Sequence, residues 1–174
     1  MKKLKKDQRG LTLVELLIAI LLTGLITGGI TMTIFQVFNL NTRTSNRMTA
    51  VRQVQHAGFW VSPDVQMALE VDTENDPGTP EFELLTLTWN EGGTGIPHEV
   101  IYTLEDGELW RNESINGGNS TLLTRVAEYI SDNPADTYCD WDDENKKLTF
   151  RVTANVGGQI ETREYKVKPR PESS

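Results

Sequence analysis

Four acidic residues close together in the last third of the chain are the first candidates for chemistry at a site. They are Asp140, Asp142, Asp143 and Glu144. Carboxylate oxygens crowded into one turn are ligands that suit calcium. The run lacks the spaced ligands and central glycine of an EF-hand loop, so an exposed acidic turn is the alternative interpretation. Calcium is therefore a candidate ligand, and no other cofactor is indicated.

The residue types used in catalysis are sparse. The two histidines, His56 and His98, lie far apart, and neither has a metal-ligand or triad pattern beside it. The chain also lacks the G-x-S-x-G, C-x-x-C, H-E-x-x-H and P-loop motifs. The single cysteine, Cys139, cannot form an intramolecular disulfide and is expected to be a small buried strand residue. We therefore expect no enzymatic activity.

A single acidic residue, Glu15, interrupts an otherwise uncharged apolar run at residues 11–38. As a helix, this run is long enough to cross the roughly 30 Å hydrocarbon core of a membrane. A charged side chain at the centre of a bilayer costs about 2.5–3.5 kcal/mol on insertion scales, so a carboxylate here requires a reason. Glu15 lies near the membrane edge of the run, which lowers this cost.

The segment before the apolar run is basic, with Lys or Arg at residues 2, 3, 5, 6 and 9. Basic flanks stay in the cytoplasm. We therefore expect a single-pass protein of the cytoplasmic (inner) membrane, with its amino terminus inside and its carboxy-terminal body outside. A secretory signal would have a shorter apolar run and an A-x-A-like cleavage site, which this run lacks.

The two parts of the chain differ in charge. Residues 1–60 hold eight Lys/Arg against two Asp/Glu, whereas residues 61–174 hold nine against 23. The acidic second part repels nucleic-acid phosphates, and no basic patch is visible after Arg52. We expect no nucleic-acid binding by the body.

Gly24 and Gly28 form a G-x-x-x-G spacing inside the apolar run. Small residues four positions apart allow two membrane helices to approach closely. Simple tolerance of glycine in membrane helices and local loosening of the helix are the alternatives, since glycine costs about 1 kcal/mol relative to alanine in a helix interior.

Beyond residue 38 the pattern predicts that the helix continues as an amphipathic helix to about residue 60. Its apolar positions are Leu40, Met48, Val51, Val54 and Phe59.

A second, short helix is predicted over residues 63–69. Ser62 would be its cap, Pro63 its first residue and Asp64 the acidic group at its positive end. Residues 72–81, rich in acidic residues, Gly and Pro, are predicted to form a loop.

Alternating apolar residues predict antiparallel strands in the remainder. The predicted strands are residues 82–89, 100–104, 109–112, 148–156 and 159–167, with 138–141 as a further candidate and 122–130 fitting either a strand or a short helix. Asp106-Gly107 and Gly157-Gly158 are each expected to close a two-residue hairpin. The predicted fold class is α+β, a long amino-terminal helix packed on an antiparallel β-sheet.

Residues 9–17 read RGLTLVELL, and this run resembles the processing site of type IV prepilins and pseudopilins. The resemblance implies that a prepilin peptidase cleaves between Gly10 and Leu11 and methylates Leu11, so that the apolar helix is retained. It also implies that Glu15 attracts the amino terminus of a neighbouring subunit. The family most often has phenylalanine after the cut and also tolerates leucine. An uncleaved signal anchor is the alternative.

Residues 55–71 resemble, less specifically, the helix end of minor pilins and J-type pseudopilins. The resemblance extends unevenly over the whole chain and implies a pilin-like architecture. It divides the chain into a leader (1–10), a long helix (11–60) whose residues 11–38 span the membrane, a β-rich extracytoplasmic body (61–168) and a loose tail (169–174).

The sequence thus favours a minor pilin or pseudopilin, a structural subunit of a type IV pilus-like or type II secretion-like filament. Its partners would be the prepilin peptidase, other pilin or pseudopilin subunits and the membrane. An uncleaved, signal-anchored extracytoplasmic binding protein and an abundant major pilin are the two alternatives. The residues do not separate adhesion, motility, secretion and DNA uptake.

Overall fold

The computed structural model describes residues 12–73, 82–91, 95–118 and 122–170. In these residues the chain forms one long helix followed by eight strands, which confirms the predicted α+β class. The elements are helix α1 (Leu13–Met67) and strands β1 (Glu70–Asp72), β2 (Phe82–Asn90), β3 (Pro97–Glu105), β4 (Glu108–Ile115), β5 (Leu122–Ala127), β6 (Tyr138–Asp142), β7 (Lys147–Val156) and β8 (Gln159–Val167).

The chain divides into two compact units, Met1–Thr42 and Arg43–Ser174. The first unit contains the amino-terminal part of α1, and all of its described residues are exposed. The second unit contains the rest of α1 together with the strands. The packed body therefore begins at Arg43, earlier than the predicted boundary at residue 61, because the carboxy-terminal part of α1 belongs to its core.

The strands form two sheets rather than the single sheet expected. One has the order β1-β2-β3-β4-β5 and the other β6-β7-β8, with antiparallel pairing throughout. Between β5 and β6 the chain crosses to β7, where Ile130 forms an isolated bridge with Ala154 and Ser131 N donates to Thr153 O. This crossing moves the chain away from the edge of the first sheet, so β6 starts a second one.

The two predicted hairpins are confirmed. Asp106 and Gly107 have φ angles of 49° and 76°, and Gly157 and Gly158 have φ angles of 54° and 80°. Two consecutive residues with positive φ are the signature of a type I′ turn, the turn that matches the twist of paired strands.

The predicted strands are present: the bounds at 159–167 coincide with β8, and the other strands are longer than predicted. The ambiguous segment at 122–130 forms strand β5 over Leu122–Ala127. Strand β1 is not predicted, because three residues are too few to show an alternating pattern. It is defined by its pairing with β2, in which Val71 lies opposite Leu87.

The buried side of α1 differs from the predicted one. Met48 and Phe59 are 54% and 70% exposed, and of the predicted apolar positions only Val54 is fully buried. Small and β-branched side chains face the core because the sheets approach this side of the helix closely. The buried apolar residues of α1 are Ala50, Val54, Ala57, Val61 and Val65, beside the buried Gly58.

The prediction of a second helix at residues 63–69 is wrong, because α1 runs through Pro63 to Met67. Proline inside a helix costs about 3 kcal/mol, since it lacks an N–H and crowds the preceding turn. The next residue is held by the sheet: Asp64 accepts hydrogen bonds from Tyr102 Oη at 2.5 Å and Arg111 Nε at 2.7 Å. These bonds offset the cost of Pro63 and keep the helix continuous.

The predicted loose tail begins later than residue 169. Arg170 N donates to Gln66 O at 3.0 Å, which satisfies a carbonyl at the end of α1. Residues 171–174 and most of the predicted loop at 72–81 lie outside the described residues.

Candidate functional site

The amino terminus of α1 is closed by Thr12 and Glu15. Glu15 Oε2 accepts hydrogen bonds from Thr12 N at 2.9 Å and from Thr12 Oγ1 at 3.0 Å, and Thr12 Oγ1 lies 3.3 Å from Glu15 N. This reciprocal pattern is a capping box, in which the first residue before the helix and the third residue within it satisfy each other's backbone N–H groups.

The capping box gives Glu15 a role within its own chain. Both bonds go to Oε2, and among the described residues Oε1 accepts none. One oxygen therefore fixes the helix start, and the other stays available for a group from outside the chain. The sequence analysis missed this pairing, although the T-x-x-E spacing at residues 12–15 is its signal.

Threonine hydroxyls along the apolar part of α1 are bonded to their own helix. Thr23 donates to Ala19 O at 2.7 Å, Thr27 to Thr23 O at 2.8 Å and Thr31 to Thr27 O at 2.8 Å. A hydroxyl in hydrocarbon needs an acceptor, and a carbonyl four residues earlier provides it without a partner helix.

A shallow groove follows the same side of α1. A Cβ atom placed on Gly24 or Gly28 would meet no atom within 4 Å, so neither glycine is required by packing within the chain. The small side chains leave room for a neighbouring helix, and the role of the two glycines in helix packing stays a prediction. The small residues that line the groove are Ala19, Thr23, Gly24, Thr27, Gly28 and Thr31.

The apolar surface of this segment is large. Leu25 and Phe35, for example, are 67% and 65% exposed. By length and composition α1 can cross a membrane. Exposed apolar surface of this extent marks membrane or protein contact, so the first unit fits membrane anchoring.

In the second unit a buried ionic network connects α1 to the five-stranded sheet. Asp64 and Arg111 are each 5% exposed. Besides its bond to Asp64 Oδ2, Arg111 donates through Nη1 to Glu113 Oε2 at 2.9 Å, and its Cζ lies 5.5 Å from the ring centroid of Trp60. The guanidinium thus binds two carboxylates and an aromatic face, which holds the end of α1 on β4.

The pKa values of Tyr102 and Glu113, two members of this network, are shifted. Burial and the negative charge of Asp64 raise the pKa of the Tyr102 hydroxyl. Burial opposes ionisation of Glu113, but the hydrogen bond and charge of Arg111 outweigh it and lower the pKa of that carboxyl. Both shifts keep Tyr102 neutral and Glu113 ionised at neutral pH.

The acidic turn after β6 is organised by its own neighbours. Asp142 accepts hydrogen bonds from Asn145 N at 3.0 Å and Asn145 Nδ2 at 2.8 Å. Asp143 Oδ1 accepts from Trp141 Nε1 at 3.0 Å and Lys146 Nζ at 3.1 Å. Hydrogen bonds from Asn145 and from Lys146 lower the pKa of Asp142 and Asp143, respectively.

Within the described residues, no three His, Cys, Asp or Glu side chains are grouped around one metal position. The structure therefore does not bring Asp140, Asp142, Asp143 and Glu144 together as a ligand set. Calcium binding has no geometric support in this conformation of the turn.

The histidines and the cysteine lie in separate places. His56 Nδ1 lies 2.6 Å from Val126 O, so this nitrogen carries the proton, and His98 Nδ1 lies 3.5 Å from Glu113 Oε1. Cys139 is 7% exposed, and burial raises the pKa of its thiol. Each of these three side chains is used in packing or in a local contact.

Gly10 and Leu11, the predicted processing site, lie outside the described residues. Residues 5–31 match the family described as the prokaryotic N-terminal methylation motif. The match includes Gly10, Leu11 and Glu15 and ends within the apolar part of α1. Comparisons with curated proteins and with solved structures found no match.

Proposed function

We propose that this chain, whose residues 5–31 carry the methylation signal of type IV prepilins and pseudopilins, is a precursor of a filament subunit. The observation that carries the proposal is this signal on the apolar part of α1, in which residues 13–42 are all exposed. The filament is type IV pilus-like or type II secretion-like, and the role of the chain in it is structural.

Processing comes first. A prepilin peptidase cleaves between Gly10 and Leu11 and methylates the new amino group, as in proteins that share the signal. The basic segment is removed, and a helix that begins with the Thr12–Glu15 capping box remains in the membrane. Before assembly the protein is held in the inner membrane, with its amino terminus facing the cytoplasm and its acidic body outside.

The intact mass of the chain co-expressed with an active prepilin peptidase tests the processing step. We expect the loss of residues 1–10 and the gain of one methyl group. A Gly10→Val variant provides the control and should keep the full-length mass. An unchanged wild-type mass beside a processed control prepilin would overturn the proposal and favour the uncleaved anchored protein.

The proposed assembly step uses Glu15 Oε1, the carboxylate oxygen that accepts no hydrogen bond from the described residues. The new amino terminus of a neighbouring subunit is cationic, and a methylated amine keeps its charge. In the low dielectric of a membrane, Glu15 Oε1 and such an amine attract each other strongly. Pairing selects one axial position of the incoming helix, and the groove beside Gly24 and Gly28 accommodates its side chains.

Within the filament we infer a low-abundance subunit, such as a minor pilin or a J-type pseudopilin. The proposal is supported by the segment at residues 60–68, which resembles those subunits and is engaged in the Asp64–Arg111 network. Counting subunits in purified filaments tests this choice. An abundant, self-assembling chain would instead be a major pilin.

The proposed role is non-catalytic, and His56 and Cys139 have structural contacts. His56 Nδ1 donates to the backbone carbonyl of Val126, and Cys139 is buried. The proposed assembly steps require no cofactor, since the peptidase carries out the only covalent chemistry.

A further inference from the structure

A basic groove lies at the end of α1, between β1 and the segment that follows β8. Its volume is about 610 Å³, within the usual range for small-ligand pockets. The residues that carry the inference are Glu70, Trp141, Asn145, Lys146, Lys168 and Arg170.

The indole of Trp141 is held in a fixed position in this groove. Its Nε1 donates to Asp143 Oδ1 at 3.0 Å, and Lys146 Nζ donates to the same oxygen at 3.1 Å. One side of Trp141 packs against the buried core, and the side chain is only partly buried. A ligand would therefore meet an aromatic surface that needs no rearrangement.

The three cations of the groove differ in whether the fold pairs them. Lys146 is neutralised by Asp143, whereas Lys168 and Arg170 are exposed, and neither forms an ion pair with another described residue. The backbone of Arg170 is fixed by its bond to Gln66 O. Residues 61–174 hold 23 acidic against nine basic residues, so this local excess of positive charge is unusual for the body. This positive charge would stabilise the carboxylate group of a bound ligand.

A second groove, of about 400 Å³, borders the first and shares Leu69 and Glu70 with it. It contains Trp89, whose ring stacks on His98 at 5.3 Å between centroids. Asn90 and Ser114 add amide and hydroxyl groups to its lining. The two grooves together present two tryptophans, one on each side of a short strand, among polar side chains.

We propose that the first groove binds a carboxylate-bearing saccharide, a uronic acid unit of a glycan chain. The apolar face of the sugar ring packs on Trp141, and its carboxylate is bound by Lys168 and Arg170. Glu70 and Asn145 bind hydroxyl groups, and the next sugar extends toward Trp89. A nucleic acid would bring several phosphates close to an acidic body, whereas a uronate brings a single charge matched to the two cations.

The proposal does not depend on filament assembly. Isothermal titration calorimetry on the full chain in detergent micelles tests it, with trisaccharides that contain one uronic acid unit as ligands and their methyl esters as uncharged counterparts. We expect saturable binding of the acids and at least tenfold weaker binding of the esters. Binding should also weaken with added salt, because exposed charges are screened.

Matched variants locate the site. Lys168→Glu and Arg170→Glu should each weaken binding of the acids at least tenfold, whereas Lys166→Glu, outside the groove, should bind like the wild type. Thermal unfolding of each variant verifies the fold. No heat with any acid, equal binding of acid and ester, or unchanged binding by Lys168→Glu would overturn the proposal. Tighter binding of an acidic peptide or a single-stranded oligonucleotide would overturn it as well.

Discussion

The ring of Tyr165 lies directly on Gly58. A Cβ atom on Gly58 would be 2.1 Å from Tyr165 Cζ, a separation that atoms do not reach. Tyr165 Oη donates to Val54 O at 3.0 Å, and the same ring lies 6.1 Å from that of Phe150. Gly58 is therefore a position at which a side chain of strand β8 lies in direct contact with the backbone of helix α1.

Gly58→Ala should destabilise the second unit. Alanine gains about 1 kcal/mol of helix propensity, but the added methyl group displaces a ring that is held from two sides, and such overpacking typically costs about 1–3 kcal/mol. We expect a lower thermal unfolding midpoint, monitored by near-UV circular dichroism.

Gly28→Ala is the matched control, because a Cβ atom there meets no atom within 4 Å. Its unfolding midpoint should equal that of the wild type or exceed it. An unchanged midpoint for Gly58→Ala would show that Tyr165 can move away at no cost.

Removing the charge of Asp64 should be among the most damaging single changes. Asp64→Asn leaves the Arg111 guanidinium buried with Glu113 as its one carboxylate partner among the described residues, and breaking a buried ion pair costs about 3–5 kcal/mol. Urea unfolding monitored by tryptophan fluorescence measures the loss.

The double variant Asp64→Leu with Arg111→Met is the comparison, since a hydrophobic replacement of a buried pair often keeps stability. We expect it to be more stable than Asp64→Asn alone. If the double variant is the less stable of the two, the pair stabilises the fold by more than a hydrophobic replacement can provide, and an unpaired Arg111 is not the main cost of Asp64→Asn.

Acid should weaken the same network through Glu113. The folded-state pKa of this carboxyl is lowered, so it contributes stability above its unfolded value of about 4.3, and the contribution is lost as the pH falls through the folded value. Unfolding midpoints measured from pH 7 to pH 3 should fall in the acid range, and less steeply for Glu113→Gln. Parallel curves for the two proteins would contradict the assignment.

Variants of the capping box can separate two roles of Glu15, closing the start of the helix and supplying a negative charge. Glutamine can replace glutamate in a capping box, so Glu15→Gln should keep the helix start and lose the charge. Thr12→Ala removes the cap and keeps the charge. We expect normal membrane insertion for both, strongly reduced incorporation into filaments for Glu15→Gln, and nearly normal incorporation for Thr12→Ala.

Incorporation is measured as the fraction of each variant in sheared filaments relative to the membrane pool. Glu15→Ala, which loses the charge and the cap, should resemble Glu15→Gln. If Thr12→Ala assembles as poorly as Glu15→Gln, the carboxylate acts by closing the helix rather than by binding a neighbouring subunit.

Calcium should produce no heat in a calorimetric titration of the full chain, because Asp142 and Asp143 are bonded to Asn145, Trp141 and Lys146. A stoichiometric heat that disappears in Asp142→Asn would establish the calcium site and show that the turn rearranges.

The sequence predicts most of the architecture where a local rule dominates. Two glycine-containing turns and long alternating runs identify β3 and β4, and β7 and β8, as hairpins. The length of the apolar run identifies the membrane-compatible helix. In each case neighbouring residues alone determine the outcome.

The sequence predicts less of the structure where contacts between residues far apart in the chain determine it. Pro63 suggests a helix start by local rules, and only Tyr102 and Arg111, from strands far along the chain, keep the helix continuous. Likewise the fold places Lys168 and Arg170 in one groove with Trp141, a proximity that no local pattern of the sequence predicts. The Thr12–Glu15 capping box, by contrast, was predictable from its spacing.

The threonine hydroxyls of α1 have a consequence for motion inside a bilayer. Because Thr23, Thr27 and Thr31 satisfy themselves on their own backbone, sliding this helix along a neighbour breaks none of their hydrogen bonds. Contacts of this segment with lipid or with a neighbouring helix therefore favour no particular axial position of the helix. In the proposed filament, the charge of Glu15 is then the interaction that fixes the axial position of a subunit.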